Sequence, residues 1–137
     1  MLLTLDYIHQ RGIIHRDIKP DNILINKISE GEYDIKIADF GLAAILAQNT
    51  STNLLFTKCG TPGYAAPEML RSQGYSYKSD IFSLGCVFFN ILTNKELFNG
   101  RDNDHLLKLN KKCDLAHLLH HLDLTSLISK DAHELLL

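Results

Sequence analysis

Residues 14–25, Ile14-His15-Arg16-Asp17-Ile18-Lys19-Pro20-Asp21-Asn22-Ile23-Leu24-Ile25, set charged and amide side chains between two apolar segments. Pro20 removes a backbone donor and pushes Lys19 out of the α region, so the polar cluster reads as a rigid loop rather than the interior of a helix. Three of its side chains suit phosphoryl transfer: Asp17 can accept a proton, Lys19 can neutralise a phosphate, and Asn22 can offer an oxygen to a hard cation. A solvated, proline-containing turn has the same composition. The flanking sequence has to decide between the two.

Upstream, Leu2, Leu5 and Ile8, followed by Gly12, have the spacing of an amphipathic helix over residues 1–11 closed by a C-terminal glycine. No capping residue precedes its first apolar position, which reads as a longer helix cut short. Downstream, Ile23 and Ile25, then Ile35 and Ile37, alternate around a turn-rich Asn26 to Asp34, and predict a short β-hairpin. The second strand runs into Ala38-Asp39-Phe40-Gly41. That places a second carboxylate at a strand end near the first loop, although a strand followed by Asp and Gly is also an ordinary turn.

Periodicity is lost from Leu42 to Phe56, where Gln48-Asn49-Thr50-Ser51-Thr52-Asn53 forms a hydroxyl-rich polar loop. In Lys58-Cys59-Gly60-Thr61-Pro62-Gly63-Tyr64-Ala65-Ala66-Pro67-Glu68, two glycines and two prolines enforce a defined, non-helical path. Either a substrate-facing loop or a tight connection fits it. Ser79 is placed to cap a helix whose apolar positions Ile81, Leu84, Phe88, Ile91 and Leu92 keep helical spacing around Gly85. Val87 and Phe89 widen that face, so the helix is expected to be buried nearly all round. Asp80 in its first turn suits the helix dipole.

Residues Asp102 to Leu109 read as a surface helix, and Leu115 to His121 as another with Leu118, Leu119 and Leu122 inward. His117 and His121 are four apart, but without a third ligand they read as a solvated helix face rather than a metal site. Ser129 caps a last helix that stops at Leu135-Leu136-Leu137, again as if cut.

A chain of 137 residues suits one compact domain. A net charge of −2 with interspersed signs makes no case for nucleic acid or a membrane surface as partner. Cys59, Cys86 and Cys113 are odd in number and far apart, which fits free thiols in a reducing, intracellular and cytoplasmic setting. The opening residues lack a basic flank and a cleavage signal, and the apolar run from Phe82 to Leu92 is too short to span a bilayer.

Taken in order, His15-Arg16-Asp17 with Lys19 and Asn22, then Asp39-Phe40-Gly41, then Ala66-Pro67-Glu68, resemble the signature set of eukaryotic protein kinases. Lys19, two residues after Asp17, and Gly60-Thr61-Pro62-Gly63-Tyr64 resemble the serine/threonine type. The segment from Cys59 to Tyr64 is similar to calcium/calmodulin-dependent and related groups. The resemblance implies a mainly α fold with a short β-hairpin, like the C-terminal lobe of a kinase with the small lobe absent. It also implies one partial kinase domain over residues 1–137, with the N-terminal lobe and the C-terminal end missing.

The resemblance further implies a protein kinase that uses ATP and Mg2+ and transfers the γ-phosphate to serine or threonine hydroxyls of a protein substrate. Asp17 is then the base, Lys19 steadies the phosphate, and Asn22 and Asp39 hold the magnesium ions. Asp21 and Leu24 join Lys19, Asn22 and Asp39 as nucleotide-binding positions, with Leu24 beneath the adenine. Thr61 is the hydroxyl beside Asp17 and Lys19, and His15, Phe40, Glu68 and Asp80 support the site. Asp80 matches the helix aspartate that holds the catalytic-loop backbone. Arg16 and Thr57 resemble a switch in which an upstream kinase phosphorylates the activation segment from Asp39 to Glu68. No basic residue lies in Leu42 to Asn49, where many relatives have one. Phe82 stands where the family commonly has tryptophan. Nothing resembles the glycine-rich loop, the strand lysine or its partner glutamate, so the chain alone is expected to be inactive. The other reading is a non-catalytic, truncated scaffold.

Overall fold

The computed structural model describes residues 1–46, 54–120 and 128–132. The residues of the polar loop from Gln48 to Asn53, His121 and Leu122, and the terminal leucines Leu135–Leu137 lie outside the described residues.

Helix α1, Leu2–His9, buries Leu5 and Ile8, three residues apart on one face, and leaves Leu2 and Leu3 exposed. Gly12, at φ +77°, turns the chain out of the helix, and its carbonyl accepts from Leu46 N at 2.8 Å. A left-handed residue at this point is most easily a glycine. Strand β1, Ile13–Ile14, follows at once. Strands β2, Ile23–Ser29, and β3, Glu32–Ile37, pair antiparallel with Ile23 opposite Ile37 and Ile25 opposite Ile35. These are the four residues whose alternation predicts the hairpin. The ladder continues through a bulge between Lys27 and Ser29 to Ser29 opposite Glu32, so the turn shrinks to Glu30 and Gly31.

Strand β4, Ala44–Ile45, returns to pair antiparallel with β1. The expectation of a mainly α chain with a single short hairpin is therefore corrected: the described residues hold two antiparallel two-stranded sheets, β1–β4 and β2–β3. Strands of two residues are too short to show alternation in a sequence.

Helix α2, Pro67–Leu70, is followed by α3, Lys78–Thr93, α4, Asn103–Lys112, and α5, Leu115–His120. Two of the expected details of α3 are wrong. Ser79 lies inside the first turn instead of capping it, and its hydroxyl donates back to Ser76 O at 2.7 Å. The helix is not buried all round, because Ile81, Ile91 and Leu92 are exposed among the described residues. Helix α4 does carry its cap: Asp102 accepts from His105 N at 2.7 Å. Ser129 accepts from Ala132 N in the same way at 3.2 Å.

The core is built where α1 and α3 meet. Leu5, Ile8, Ile18, Leu84 and Val87 form it, with Ile23 and Ile37 of the hairpin packed at its edge. A second cluster, Ala66, Met69 and Tyr75, gathers Leu55, Cys59 and Phe82. Phe82 stacks on Phe98 with ring centroids 6.4 Å apart. All three cysteines are free, and burial, with Cys113 adding to it, pushes the Cys86 thiol up to about 12, so it serves as a packed side chain. Among the described residues no helix is long and apolar enough to cross a membrane.

Leu5 has no exposed surface, whereas Leu3 is 86% exposed. Leu5→Ala is expected to destabilise the fold by about 2–5 kcal/mol and Leu3→Ala by less than about 0.5 kcal/mol, read by chemical denaturation. Equal effects would place the core elsewhere.

Candidate functional site

The loop between β1 and β2 is held from beneath by α3. Asp80 is fully buried, and its carboxylate accepts from the backbone N–H groups of His15 and Arg16 and from His9 Nε2, each at 2.8 Å. Arg16 sits at φ +70°, a conformation that a long side chain rarely adopts. The two adjacent backbone bonds to one carboxylate hold it there.

His15 is buried and its ring orientation is fixed by chemistry. Nε2 faces the Ala38 carbonyl at 3.0 Å and must donate, while Nδ1 faces Asp17 N at 3.3 Å and must accept. The backbone of β3 continues this register, since Ala38 N donates to Asn22 O at 2.8 Å. The catalytic-loop candidates and the residue before Asp39 thus share one ladder.

Three of the sequence-predicted site residues converge on the carboxylate of a fourth, Asp17. Thr61 Oγ1 donates to Asp17 Oδ1 at 2.6 Å, and Lys19 Nζ donates to Thr61 Oγ1 at 2.9 Å. Lys19 Nζ also lies 3.1 Å from Asp17 Oδ2. Asn22 Nδ2 donates to Asp17 O at 2.8 Å and to Oδ2 at 3.2 Å. Both partners of Nδ2 are acceptors, so the Asn22 amide nitrogen is assigned by chemistry and its Oδ1 is left with no hydrogen bond among the described residues. Burial pushes the Asp17 carboxyl up, but the bonds from Thr61, Lys19 and Asn22 and the charge of Lys19 outweigh it and hold the group below its ordinary value.

The other candidates are placed around this cluster. Asp39 is exposed at φ +60°, with Oδ1 accepting from Gly41 N at 3.1 Å, and it makes no direct bond to Asp17. Phe40 is half-exposed, and its ring stands edge-on to His15 at 4.8 Å. Asp21 is exposed in the short helical turn Pro20–Asn22, and Leu24 is exposed on β2. Glu68 lies in the first turn of α2 and makes no ion pair among the described residues.

Arg16 donates through Nε to Leu42 O and through Nη1 to the Tyr75 hydroxyl at 3.2 Å, and has no carboxylate partner among the described residues. The Tyr75 hydroxyl donates in turn to Thr57 O at 2.7 Å, while the side chain of Thr57 is exposed. Tyr75 and His9 were missed by sequence reasoning. Both look like ordinary residues of their segments, and only the tertiary fold brings them to Arg16 and Asp80.

A family model described as "Protein kinase domain" matches residues 1–137. The match runs the whole length of the chain and does not confine it to one lobe. The expectation of a C-terminal lobe with the small lobe absent is overturned by that finding. Among similar proteins, "Probable serine/threonine-protein kinase 2" of Plasmodium falciparum is 39% identical over 85% of this chain and 22% of its own length. "Probable serine/threonine-protein kinase nek3" of Dictyostelium discoideum is 48% identical over 71% of this chain and 8% of its own. "CBL-interacting protein kinase 28" of Oryza sativa subsp. japonica is 42% identical over 74% of this chain and 23% of its own. The chain therefore spans less than a quarter of the length of each of these relatives.

Lys19→Met removes both a hydrogen bond and the charge that favour ionised Asp17, while burial remains. The Asp17 pKa, followed by carboxyl-carbon NMR titration, is expected to rise. Because the native pKa is lowered, the stability contributed by Asp17 is full above the ordinary value of 3.8 and is lost as pH falls through the folded-state value. An unchanged titration in Lys19→Met would mean that Thr61 and Asn22 alone hold the group.

Proposed function

We propose, from the premise that this chain belongs to the protein kinase domain family, that it carries the phosphoryl-transfer site of a serine/threonine protein kinase, with Asp17 as the group that receives the substrate hydroxyl. One observation carries this reading. The Thr61 hydroxyl donates to Asp17 Oδ1 at 2.6 Å while Lys19 Nζ donates to that same hydroxyl oxygen at 2.9 Å. A serine or threonine hydroxyl of a protein substrate would meet the same pair: a carboxylate to take its proton and an ammonium beside its oxygen.

Asp17 orients more than it deprotonates. A carboxyl held below its ordinary value is a weak base towards a free alcohol. In a loose phosphoryl-transfer transition state the nucleophile needs little deprotonation early on, so the carboxylate aligns the hydroxyl and takes the proton late. Lys19 then supplies positive charge next to the transferring phosphoryl group, and Thr61 keeps Lys19 and Asp17 in register.

Members of this family use ATP and magnesium, and the donor set here suits a hard cation. Among the described residues Asn22 leaves an amide oxygen without a hydrogen bond, and Asp39 is an exposed carboxylate at the end of the same ladder. Asn22 and Asp39 would hold the metal, which offsets charge on the nucleotide phosphates when bound. Asp21 and Leu24 flank Asn22 in sequence, on the Pro20–Asn22 turn and on β2, and would join it in binding the nucleotide.

Regulation follows from Arg16. Among the described residues its guanidinium is bound by neutral acceptors, Leu42 O and Tyr75 OH, and Tyr75 links it to the backbone of Thr57. A phosphate on exposed Thr57 would give that guanidinium an anionic partner and order the segment. The resemblance of residues Cys59 to Tyr64 to calcium/calmodulin-dependent-type kinases agrees with the similarity to a relative named as CBL-interacting.

In the full-length protein, Asp17→Asn is expected to lower kcat for transfer to a protein substrate on the order of 100-fold or more, with the KM for ATP changed less than about threefold. Thr57→Ala is expected to lower activity while leaving the Asp17→Asn defect unchanged in kind. Wild-type transfer by Asp17→Asn would remove the assigned role.

A further inference from the structure

We propose that Asn110 of α4 is a positioning residue for protein substrate, bracing the loop that carries Thr61; the proposal rests on the kinase reading above. Asn110 has no exposed surface, although α4 reads as a surface helix from its sequence. Its side-chain oxygen accepts from Gly63 N at 2.9 Å and its side-chain nitrogen donates to Ala65 O at 3.0 Å. One partner can only donate and the other can only accept, so the amide orientation is fixed. A single side chain thereby reads two backbone groups of one loop.

The loop is also held by packing, with Tyr64 against the main core and Ala66 and Cys59 in the second cluster. Gly60 and Gly63 lie at φ +92° and +91°, and Tyr64 and Ala65 both donate their N–H to Thr61 O. Ser83 of α3 donates to Tyr64 O at 2.8 Å. Asn110 therefore holds the loop on one side and Ser83 on the other, with the Thr61–Asp17 bond at its far end. A hypothetical Cβ on Gly63 would lie 3.9 Å from Leu106, also on α4, which puts the helix directly against this turn. Loosening the brace shifts Thr61 and the surface presented to an incoming polypeptide. It leaves Asn22 and Asp39, which make no hydrogen bond to this loop among the described residues, in place.

Asn110→Asp tests this with nearly the same shape. A neutral carboxyl keeps both bonds, accepting from Gly63 N–H and donating to Ala65 O. The carboxylate keeps the first and turns its second oxygen against the Ala65 carbonyl. The titratable groups around this position are Glu68 on α2, Arg71 directly after it, Tyr64 in the loop, Cys86 on α3, and Asp104, His105 and Lys108 on α4 itself. At the end of α4 they are Lys111 and Lys112, with Cys113 and Asp114 after it. Wild type is the control for their titration.

In the full-length protein, Asn110→Asp is expected to raise the KM for a protein substrate on the order of tenfold at about pH 8 and to approach wild type at about pH 6, with the KM for ATP following wild type at both. Hydrogen exchange without substrate reads the brace independently of activity. Residues 60–66 should lose protection in the variant at the higher pH while α1 keeps it. If wild type transfers no phosphate but this exchange pattern holds, the kinase reading fails and the brace survives. The proposal is overturned if the variant matches wild type at both pH values, if both KM values rise together, or if Asn110→Asp and Asn110→Ala alike lose protection throughout, α1 included.

Discussion

A single buried carboxylate sets the geometry of the site. Asp80 is a charge with no access to water, a state that is tolerable only when donors replace its hydration, and here three do: His15 N, Arg16 N and His9 Nε2. The two backbone donors belong to consecutive residues, so the carboxylate specifies the path of the chain as well as its position. Arg16 is held in a left-handed conformation that would otherwise cost about 1–3 kcal/mol. That turn aims Asp17 towards Thr61 and Arg16 towards Tyr75.

Everything chemical in the chain is hung from this turn by short links between distant segments. His15 ties the loop to Ala38 at the end of β3, and Asn22 ties the same strand end to Asp17. Thr61 brings in the glycine- and proline-rich loop, whose backbone is read by Ser83 and Asn110 from two helices. Few of these groups are held by secondary structure alone. The site is rigid because its buried polar atoms all have partners among the described residues.

Much of this was legible in the residues. The spacing of Leu5 and Ile8 gives α1, and the alternation of Ile23, Ile25, Ile35 and Ile37 gives the hairpin with its register, because local burial has a period. Asp17, Lys19, Asn22 and Thr61 were named from motif order, and the fold brings them together. The β1–β4 pair was not legible: two-residue strands carry no pattern, and their pairing is set by distant packing. Nor were His9, Tyr75 and Asn110, whose side-chain hydrogen-bond partners lie 16 to 71 residues away in sequence. The exposure of Ile81, Ile91 and Leu92 on α3 was misread for a related reason, since apolar residues reveal a tendency to be covered but not whether anything covers them.

The dependence of the loop on Asp80 is tested most directly by amide hydrogen exchange at His15 and Arg16 in wild type and Asp80→Ala. Both amides are expected in the slowest-exchanging class of the wild-type protein. In Asp80→Ala they should exchange freely, with a loss of stability of about 1–3 kcal/mol for each buried donor left without an acceptor. Rapid exchange of these two amides in the wild type, or unchanged protection after the substitution, would contradict the claim that this carboxylate holds the site together.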